Sequence, residues 1–289
     1  MQKATVLHSF HGCDAQLLER DFTAIAPQIE AAFASAEPLL THNPEFSLYG
    51  KRCRMRRAHG FFAKPADSHG YFFSGQLAAS IEPPQAVAQL LALVNGTCGT
   101  RYNGVLVNRY ADGDDYISDH RDDEKALDPT HGVLTLSYGA ERTLLIKPWN
   151  PAQKAPSPKK DGGWVATRTR EYHALQMAGA DFQRRFTHGI PKERAAGVRF
   201  SATFRVHDRA SEEKAARKLG ERQKRKRAEE ETDGPQFGPE DKPFRPDSAF
   251  SAEYRAGLKT LDEVLAEREA EQVGAPPTAH TATAVATRR

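Results

Sequence analysis

Val198-Arg-Phe-Ser-Ala-Thr-Phe-Arg-Val206 alternates without a break. Val198, Phe200, Ala202, Phe204 and Val206 fall on one side of an extended chain, and Arg199, Ser201, Thr203 and Arg205 fall on the other. Period two is the mark of a β-strand, because successive side chains of a pleated backbone leave opposite faces. The apolar side belongs to a core. The other side presents two arginines flanking two hydroxyls, and the pattern admits two placements for it. It is either the solvent side of an antiparallel strand or the inner wall of a barrel, where it would form a receptor for an anion with carboxylates at both ends.

Further strands lie upstream of this one. Val133-Leu-Thr-Leu-Ser-Tyr-Gly139 and Thr143-Leu-Leu-Ile-Lys147 are joined by a short turn, Tyr172 to Met177 is another candidate, and the set is compatible with an antiparallel β-sandwich. Gly104-Val-Leu-Val-Asn-Arg-Tyr110 puts Leu106, Asn108 and Tyr110 on one face. Burying that Asn and Tyr without partners costs about 1 to 3 kcal/mol each, so a polar ligand is expected to supply them. After a turn at Ala111-Asp-Gly-Asp-Asp115, His120 and Asp122 stand two residues apart and leave the same face of an extended backbone. With His188 as a second imidazole they make two His and one carboxylate, the facial triad of non-haem iron(II) oxygenases. A lone His-x-Asp pair is a frequent coincidence in a chain rich in both, so its neighbours must carry the reading.

Residues 14–35 contain Leu17, Leu18, Phe22, Ile25, Ile29 and Phe33, near the 3.6 period of an amphipathic helix. Pro83-Pro84, then Val87, Leu90, Leu91 and Val94, then Gly96, predicts a second helix with proline at its start and glycine past its end. Between these helices lie Phe46-Ser-Leu-Tyr-Gly50, five cations in the seven residues Lys51 to Arg57, then Phe61, Phe62 and Tyr71-Phe-Phe-Ser-Gly75. Cations on phosphates with rings for stacking suit a nucleic-acid surface. An irregular N-terminal segment whose aromatics fill core accounts for the rings as well.

With 39% hydrophobic and 27% charged residues, the 289-residue chain has the composition of a soluble globular protein with one sizeable core and extra segments. No apolar run approaches the roughly 18 residues of a membrane span, and no secretory leader is visible, so an intracellular protein is expected. Cys13, Cys53 and Cys98 are odd in number and lack CxxC spacing, which favours free thiols over disulfides or a thiolate zinc site. A net charge of +3 says little by itself, and local runs matter more. The stretch 148–163, rich in Pro, Lys and Gly, is expected to be a flexible surface loop. From Asp208 the composition turns to charged residues, Ala, Pro and Gly, and 208–247 reads as mostly disordered. Phe250, Tyr254, Leu258, Leu261 and Leu265 form an amphipathic stripe, predicting a helix near 250–271 that docks on the core or on a protein partner. The last residues, Gly274 to Arg289, read as a loose tail. Lys224 to Arg227 is either a nuclear localisation signal, if the source is eukaryotic, or the basic half of a solvated helix.

Five motifs then line up in order between about Tyr49 and Arg205: Tyr71-Phe-Phe-Ser-Gly75, Asn108-Arg-Tyr110, His120-Arg-Asp122-Asp-Glu124, His188-Gly-Ile-Pro191 and Arg199-x-Ser201-x-x-x-Arg205. In this the chain resembles the AlkB-like Fe(II)/2-oxoglutarate-dependent dioxygenases, closest to the duplex-DNA alkylation-repair subgroup. The resemblance implies a mainly β fold with flanking helices: a double-stranded β-helix (jelly-roll) core and an N-terminal nucleotide-recognition lid. The dioxygenase domain would span 1–207, with helices and lid in 1–103 and the jelly roll in 104–207, followed by the charged tail 208–289. It implies Fe(II) on His120, Asp122 and His188, 2-oxoglutarate on Asn108, Tyr110, Arg199, Ser201 and Arg205, and O2 as the other co-substrate. The implied reaction is hydroxylation of the N-alkyl group of N1-methyladenine or N3-methylcytosine in DNA, with release of formaldehyde.

A base inside a duplex must be flipped to be reached. The resemblance places Tyr71, Phe73, Ser74, Arg121, Asp123 and Glu124 at the substrate. Phe73 would stack on the flipped base with His120 opposite, and the carboxylates of Asp123 and Glu124 would favour a cationic lesion. Tyr49 would wedge into the opened duplex, with Lys51 and the rest of its run on phosphates. The implied partner is alkylated DNA, or RNA, for a monomer that does not engage membranes. The alternatives are an RNA or protein demethylase with the same iron chemistry, or a catalytically dead nucleic-acid-binding module. The chain departs from the family at Ser201, where Asn is usual, so a shorter reach and a weaker co-substrate grip are expected. The 148–163 loop is a second departure.

Overall fold

Strand β17 (Arg199–His207) lies inside a sheet, and all of its residues except the half-buried Val206 are buried. The computed structural model describes residues 3–48, 51–68, 70–73, 76–124, 126–159, 162–194, 196–215, 217–218, 221 and 259–260. These fall into two units, Met1–Pro44 with Arg56–Asp241 and Glu45–Met55 with Lys242–Arg289.

In the first unit an eight-stranded antiparallel sheet runs β1 (Thr5–Ser9), β2 (Gln16–Asp21), β15 (His173–Ala178), β11 (Val133–Gly139), β17, β8 (Gly104–Tyr110) and β5 (Ala58–Phe62), and β10 (Leu127–Asp128) also pairs with β17. The second sheet runs β13 (Ala155–Pro156), β12 (Thr143–Asn150), β16 (Phe186–Ile190) and β9 (Ile117–His120), and β14 (Val165–Arg168) also pairs with β12. Leu17, Val133, Leu175 and Met177 of the larger sheet pack with Leu144, Ile146, Phe186 and Ile190 of the smaller one, so the sheets face each other as a double-stranded β-helix, or jelly roll. A separate hairpin joins β6 (Gly70–Phe73) to β7 (Gln76–Ala79).

The outer face of the larger sheet is covered by α1 (Ala26–Ala36) and α2 (Gln85–Cys98). Ile29, Phe33, Val87, Leu90 and Val94 of these helices cluster with Phe200, Ala202 and Phe204 of β17. Arg199, Ser201, Thr203 and Arg205 are buried on the inner face. The polar face of β17 is therefore the inner wall of the roll.

In the second unit β4 (Lys51–Arg54) pairs with β3 (Glu45–Leu48) and with β18 (Lys259–Thr260).

Several expectations change. Residues 14–35 are the strand β2 followed by α1, because Pro27 opens α1, whereas within one continuous helix it would cost about 3 kcal/mol. The N-terminal region also contributes β1, β2 and β5 to the larger sheet. Helix α2 runs past Gly96 and stops at Gly99, whose left-handed backbone (φ 67°) lets its N–H reach the Asn95 carbonyl. β11 and β12 are the expected pair of strands joined by a short turn, and that turn carries the chain from one sheet to the other. Within 148–163, β12 continues to Asn150 and pairs with Ala155–Pro156. The chain does not fall away at Asp208: a helical turn follows β17, and Glu212 within it is fully buried. Of the helix predicted near 250–271, only Lys259–Thr260 is described, and it is extended. Lys224 to Arg227 and Gly274 to Arg289 lie outside the described residues. Among the described residues no helix is long and apolar enough to cross a membrane, and Cys13 and Cys98 are free thiols.

Candidate metal centre and its surroundings

His120 ends β9, and His188 sits opposite it in the register of β16. Antiparallel pairing thus sets the two imidazoles side by side, with ring centroids 4.2 Å apart. Asp122 follows two residues beyond His120, where its backbone N–H donates to the Gln183 side-chain oxygen at 2.9 Å. One potential ligand atom from each of the three residues lies within 4.8 Å of the others, and it is the group of this kind found among the described residues.

The electrostatics suit a divalent cation. Burial pushes the His188 imidazole down to about 3, with His120 adding to the effect, and burial also lowers His120. Both are therefore neutral at physiological pH, with a lone pair to offer. His120 Nδ1 lies 2.9 Å from the Ser118 carbonyl, which can only accept, so Nδ1 carries the proton and Nε2 is left for a metal. Burial opposes ionisation of Asp122, but the Arg205 guanidinium, joined by the His188 and His120 imidazoles, outweighs it and holds the carboxyl well below the usual range. Two neutral imidazoles and one carboxylate, together with the backbone geometry above, fit Fe(II) with positions to spare.

The inner wall of β17 lies beside this triad. Arg205 Nη2 donates to both Asp122 oxygens, at 2.8 and 2.9 Å, while its Nε and Nη1 are buried without a hydrogen-bond partner. Arg199 donates from Nη2 to Ser137 Oγ at 3.0 Å, and its Nε and Nη1 are likewise buried and unpaired. Tyr110 lies against it, the Arg199 guanidinium being 5.0 Å from the ring centroid. Ser201 is opposite Asn108 in the β17–β8 register, and both are buried. Four buried N–H-bearing nitrogens without acceptors are costly in a folded protein, and a dicarboxylate is the chemistry that satisfies them. The residues present fit 2-oxoglutarate.

On the side of the hairpin, the Tyr71 hydroxyl lies 3.3 Å from Asp122 Oδ1 and 3.5 Å from Glu124 Oε1. Burial, reinforced by Asp122, pushes the Glu124 carboxyl up to about 8. Asp123 is exposed and pairs with Arg121 at 2.6 Å, and the Arg121 guanidinium sits 4.2 Å from the Trp149 ring centroid. Phe73 ends β6, but its side chain, like that of Lys51 in β4, lies outside what is described, as do Tyr49 and Ser74 altogether.

Three residues matter here that the sequence did not single out, Arg142, Gln183 and Ser137, and a fourth, Arg57, has a different place from the one expected. Arg57, the last of the basic run expected on phosphates, is buried. It donates to Asn108 Oδ1 at 3.0 Å and to the Tyr116 carbonyl at 3.1 Å, so it braces the pocket wall. Arg142 is fully buried and ties the carbonyls of Asp112, Asp115 and Pro191 together while pairing with Glu193. Gln183 fixes Asp122 and Ser137 fixes Arg199. Arg57 had a signal, a cation next to the start of the β5 strand, whereas the other three had none.

Comparison with known proteins agrees with this geometry. Residues 20–227 match the 2OG-Fe(II) oxygenase superfamily. The chain is 31% identical over 121 residues to the DNA oxidative demethylase ALKBH2 of Arabidopsis thaliana, covering 37% of this chain and 38% of that protein. It is 32% identical over 137 residues to DNA oxidative demethylase ALKBH2 of Homo sapiens, covering 47% and 51%. To the alpha-ketoglutarate-dependent dioxygenase alkB homolog 3 of Rattus norvegicus it is 28% identical over 122 residues, covering 40% and 39%. The chain thus spans about half the length of these relatives, or less.

Proposed function

The chain belongs to the 2OG-Fe(II) oxygenase superfamily, and from that premise we propose that it is an Fe(II)- and 2-oxoglutarate-dependent DNA demethylase acting on N1-methyladenine and N3-methylcytosine. The observation that carries this reading is the meeting of the His120, Asp122 and His188 donors with the unpaired nitrogens of Arg199 and Arg205 in one buried wall. Bound Fe(II), with 2-oxoglutarate and O2, supplies the oxidising power that hydroxylates the N-alkyl carbon, and the hydroxymethyl product collapses to formaldehyde and the repaired base.

The residues of the chain do the rest. Arg199 orients one carboxylate of the co-substrate through its unpaired N–H groups, with Ser137 holding Nη2 in place. Tyr110 and Asn108 line the same wall, and Ser201, shorter than Asn, leaves more of the grip to Arg199. Arg205 keeps Asp122 ionised. Tyr71 and Glu124 border the triad where a flipped base would enter, and Phe73 would stack on it. Burial disfavours the Glu124 carboxylate, and a cationic base beside it favours that ionised form, so a charged lesion gains an ion pair that a normal base does not. Asp123, Arg121 and Ser74 complete the rim. Tyr49 wedges into the duplex and Lys51 meets phosphate.

The test is formaldehyde release from duplex and single-stranded oligonucleotides carrying N1-methyladenine, with Fe(II) and 2-oxoglutarate. Tyr49→Ala should depress turnover on the duplex and spare the single strand. Equal losses would withdraw the duplex preference, and activity confined to methylated RNA would replace DNA as the substrate.

A further inference from the structure

The chain immediately after β17 carries a buried acid that the chemistry above does not use. Glu212 is completely shielded from solvent, as is Ser68. Glu212 Oε1 accepts from Ser68 Oγ at 2.6 Å and meets His207 Nδ1 at 2.9 Å. A carboxylate buried this deeply is costly unless it is held by donors, and it persists where those donors are fixed in place.

Both partners are placed to matter. Ser68 stands at the open end of the β6–β7 hairpin and holds both of its strands. Its Oγ accepts from the Gly70 N–H at 3.2 Å where β6 begins, and its carbonyl accepts from Ser80 Oγ at 3.2 Å just after β7 ends. His207 is the last residue of β17, the strand that carries Arg199 and Arg205. Its ring lies 4.7 Å from Phe61 and 6.2 Å, edge-on, from Tyr71. A further tie comes from Arg209, whose Nη1 donates to the Ala66 carbonyl at 3.0 Å. Through Glu212, therefore, the end of the inner-wall strand is hydrogen-bonded to the root of the hairpin that delivers the Tyr71 hydroxyl to Asp122 and Glu124.

We propose that Glu212 is a positioning residue for base recognition: by joining His207 to Ser68 it sets the stance of the β6–β7 hairpin over the metal centre, so that substrate fit depends on a residue beyond the last strand of the roll. This rests on the hairpin reading the base, as in the proposed function. Tyr71 has little freedom elsewhere, since its ring is also faced by the Arg205 guanidinium at 4.9 Å. The hairpin root is where its angle can be altered without touching the metal ligands.

The test compares Glu212→Met, which keeps the volume and removes the acceptor, with Glu212→Gln, which keeps an acceptor oxygen, and with Ser68→Ala, all in the full chain. Amide hydrogen exchange over residues 64–73 reads the hairpin root without any substrate. Glu212→Met and Ser68→Ala each remove the Ser68–Glu212 hydrogen bond and should speed it roughly ten- to hundredfold, while Glu212→Gln stays close to wild type. KM for a methylated oligonucleotide should rise in the first two variants. Anaerobic 2-oxoglutarate affinity and substrate-free succinate formation should not change. Uniform acceleration of exchange across the roll, or equal losses of 2-oxoglutarate affinity and oligonucleotide KM, would mean that Glu212 only stabilises the fold and would overturn the proposal. Unchanged exchange at 64–73 in Glu212→Met would overturn it as well. If exchange responds as expected but the wild type demethylates no oligonucleotide, the hairpin link stands and the substrate reading is what fails.

Discussion

Replacing Arg199 with Ala tests the inner wall most directly, because the structure predicts a large effect on affinity and a small one on stability. Arg199 is buried, gives one hydrogen bond to Ser137, and has two nitrogens with no acceptor. Removing one partner of a buried charged pair costs about 2 to 5 kcal/mol, so the 2-oxoglutarate Kd should rise by roughly thirtyfold to several-thousandfold. The ligand-free protein has no such pair to lose. An unsatisfied buried guanidinium is itself a burden, and losing it offsets the cavity that Ala leaves, so the apo Tm should change little. Thermal unfolding under anaerobic Fe(II) separates the two effects. At 100 times the wild-type Kd, ligand stabilises wild type by about 2.7 kcal/mol, or roughly 5 to 10 °C for a domain of this size. If Kd rises about a hundredfold, the same concentration contributes only about 0.4 kcal/mol, near 1 °C. Arg199→Lys keeps the charge but loses the fork and should fall between the two. A variant that melts several degrees lower without ligand yet keeps the full ligand shift would refute the reasoning, because Arg199 would then be a structural strut.

His120→Ala, Asp122→Ala and His188→Ala should each abolish Fe(II) binding in anaerobic titration; Asp122→Ala alone should also cost about 3 to 5 kcal/mol in denaturant unfolding, because it strands the Arg205 charge, and a Tm matching His120→Ala would contradict that. Phe204→Ala, on the helix-covered face of β17, should lose about 3 to 5 kcal/mol of stability while 2-oxoglutarate affinity is retained, the reverse of Arg199→Ala. His59, which burial and then Arg57 push down to about 4, is neutral when folded and has an ordinary value near 6.5 when unfolded. Its stabilising contribution is complete above about pH 6.5 and is lost as pH falls toward 4, by up to roughly 3 kcal/mol. His59→Gln should flatten the pH dependence of unfolding in that window, and an unchanged slope would show that His59 is not buried neutral.

What could be read from the chain divides by the range of the interaction involved. The strands at 104–110, 133–139 and 199–207 were legible because period two is local, and the triad was legible because the motifs around it come in a fixed order. Residues 14–35 misled because Leu17 is inward under either period, and only Pro27 marks where strand gives way to helix. Arg142, Gln183 and Glu212 left no trace. Each is a polar residue in an unremarkable neighbourhood whose partners lie far off in sequence: Arg142 on Pro191, Gln183 on Asp122, Glu212 on Ser68. Such residues become visible only once the sheets have brought those partners together.

Strand β17 shows why a sequence pattern stops short of function. Alternation states that β17 has an apolar and a polar face, but not which of them is outside, and for an isolated antiparallel pair the polar face would be the wet one. In this roll the choice is made by α1 and α2. Ile29, Phe33, Val87, Leu90 and Val94 cover the apolar face from outside, so the arginines have nowhere to go but inward. Burying two guanidinium groups with unpaired nitrogens is unfavourable for folding, and it is offset where the same wall holds Asp122 ionised and, on the proposed function, where a co-substrate carboxylate meets the remaining N–H groups. The helices, which touch neither metal ligand nor substrate, are thus what turns an amphipathic strand into a binding wall. Loosening their packing should weaken 2-oxoglutarate binding only where it lets β17 shift, not through any contact of their own.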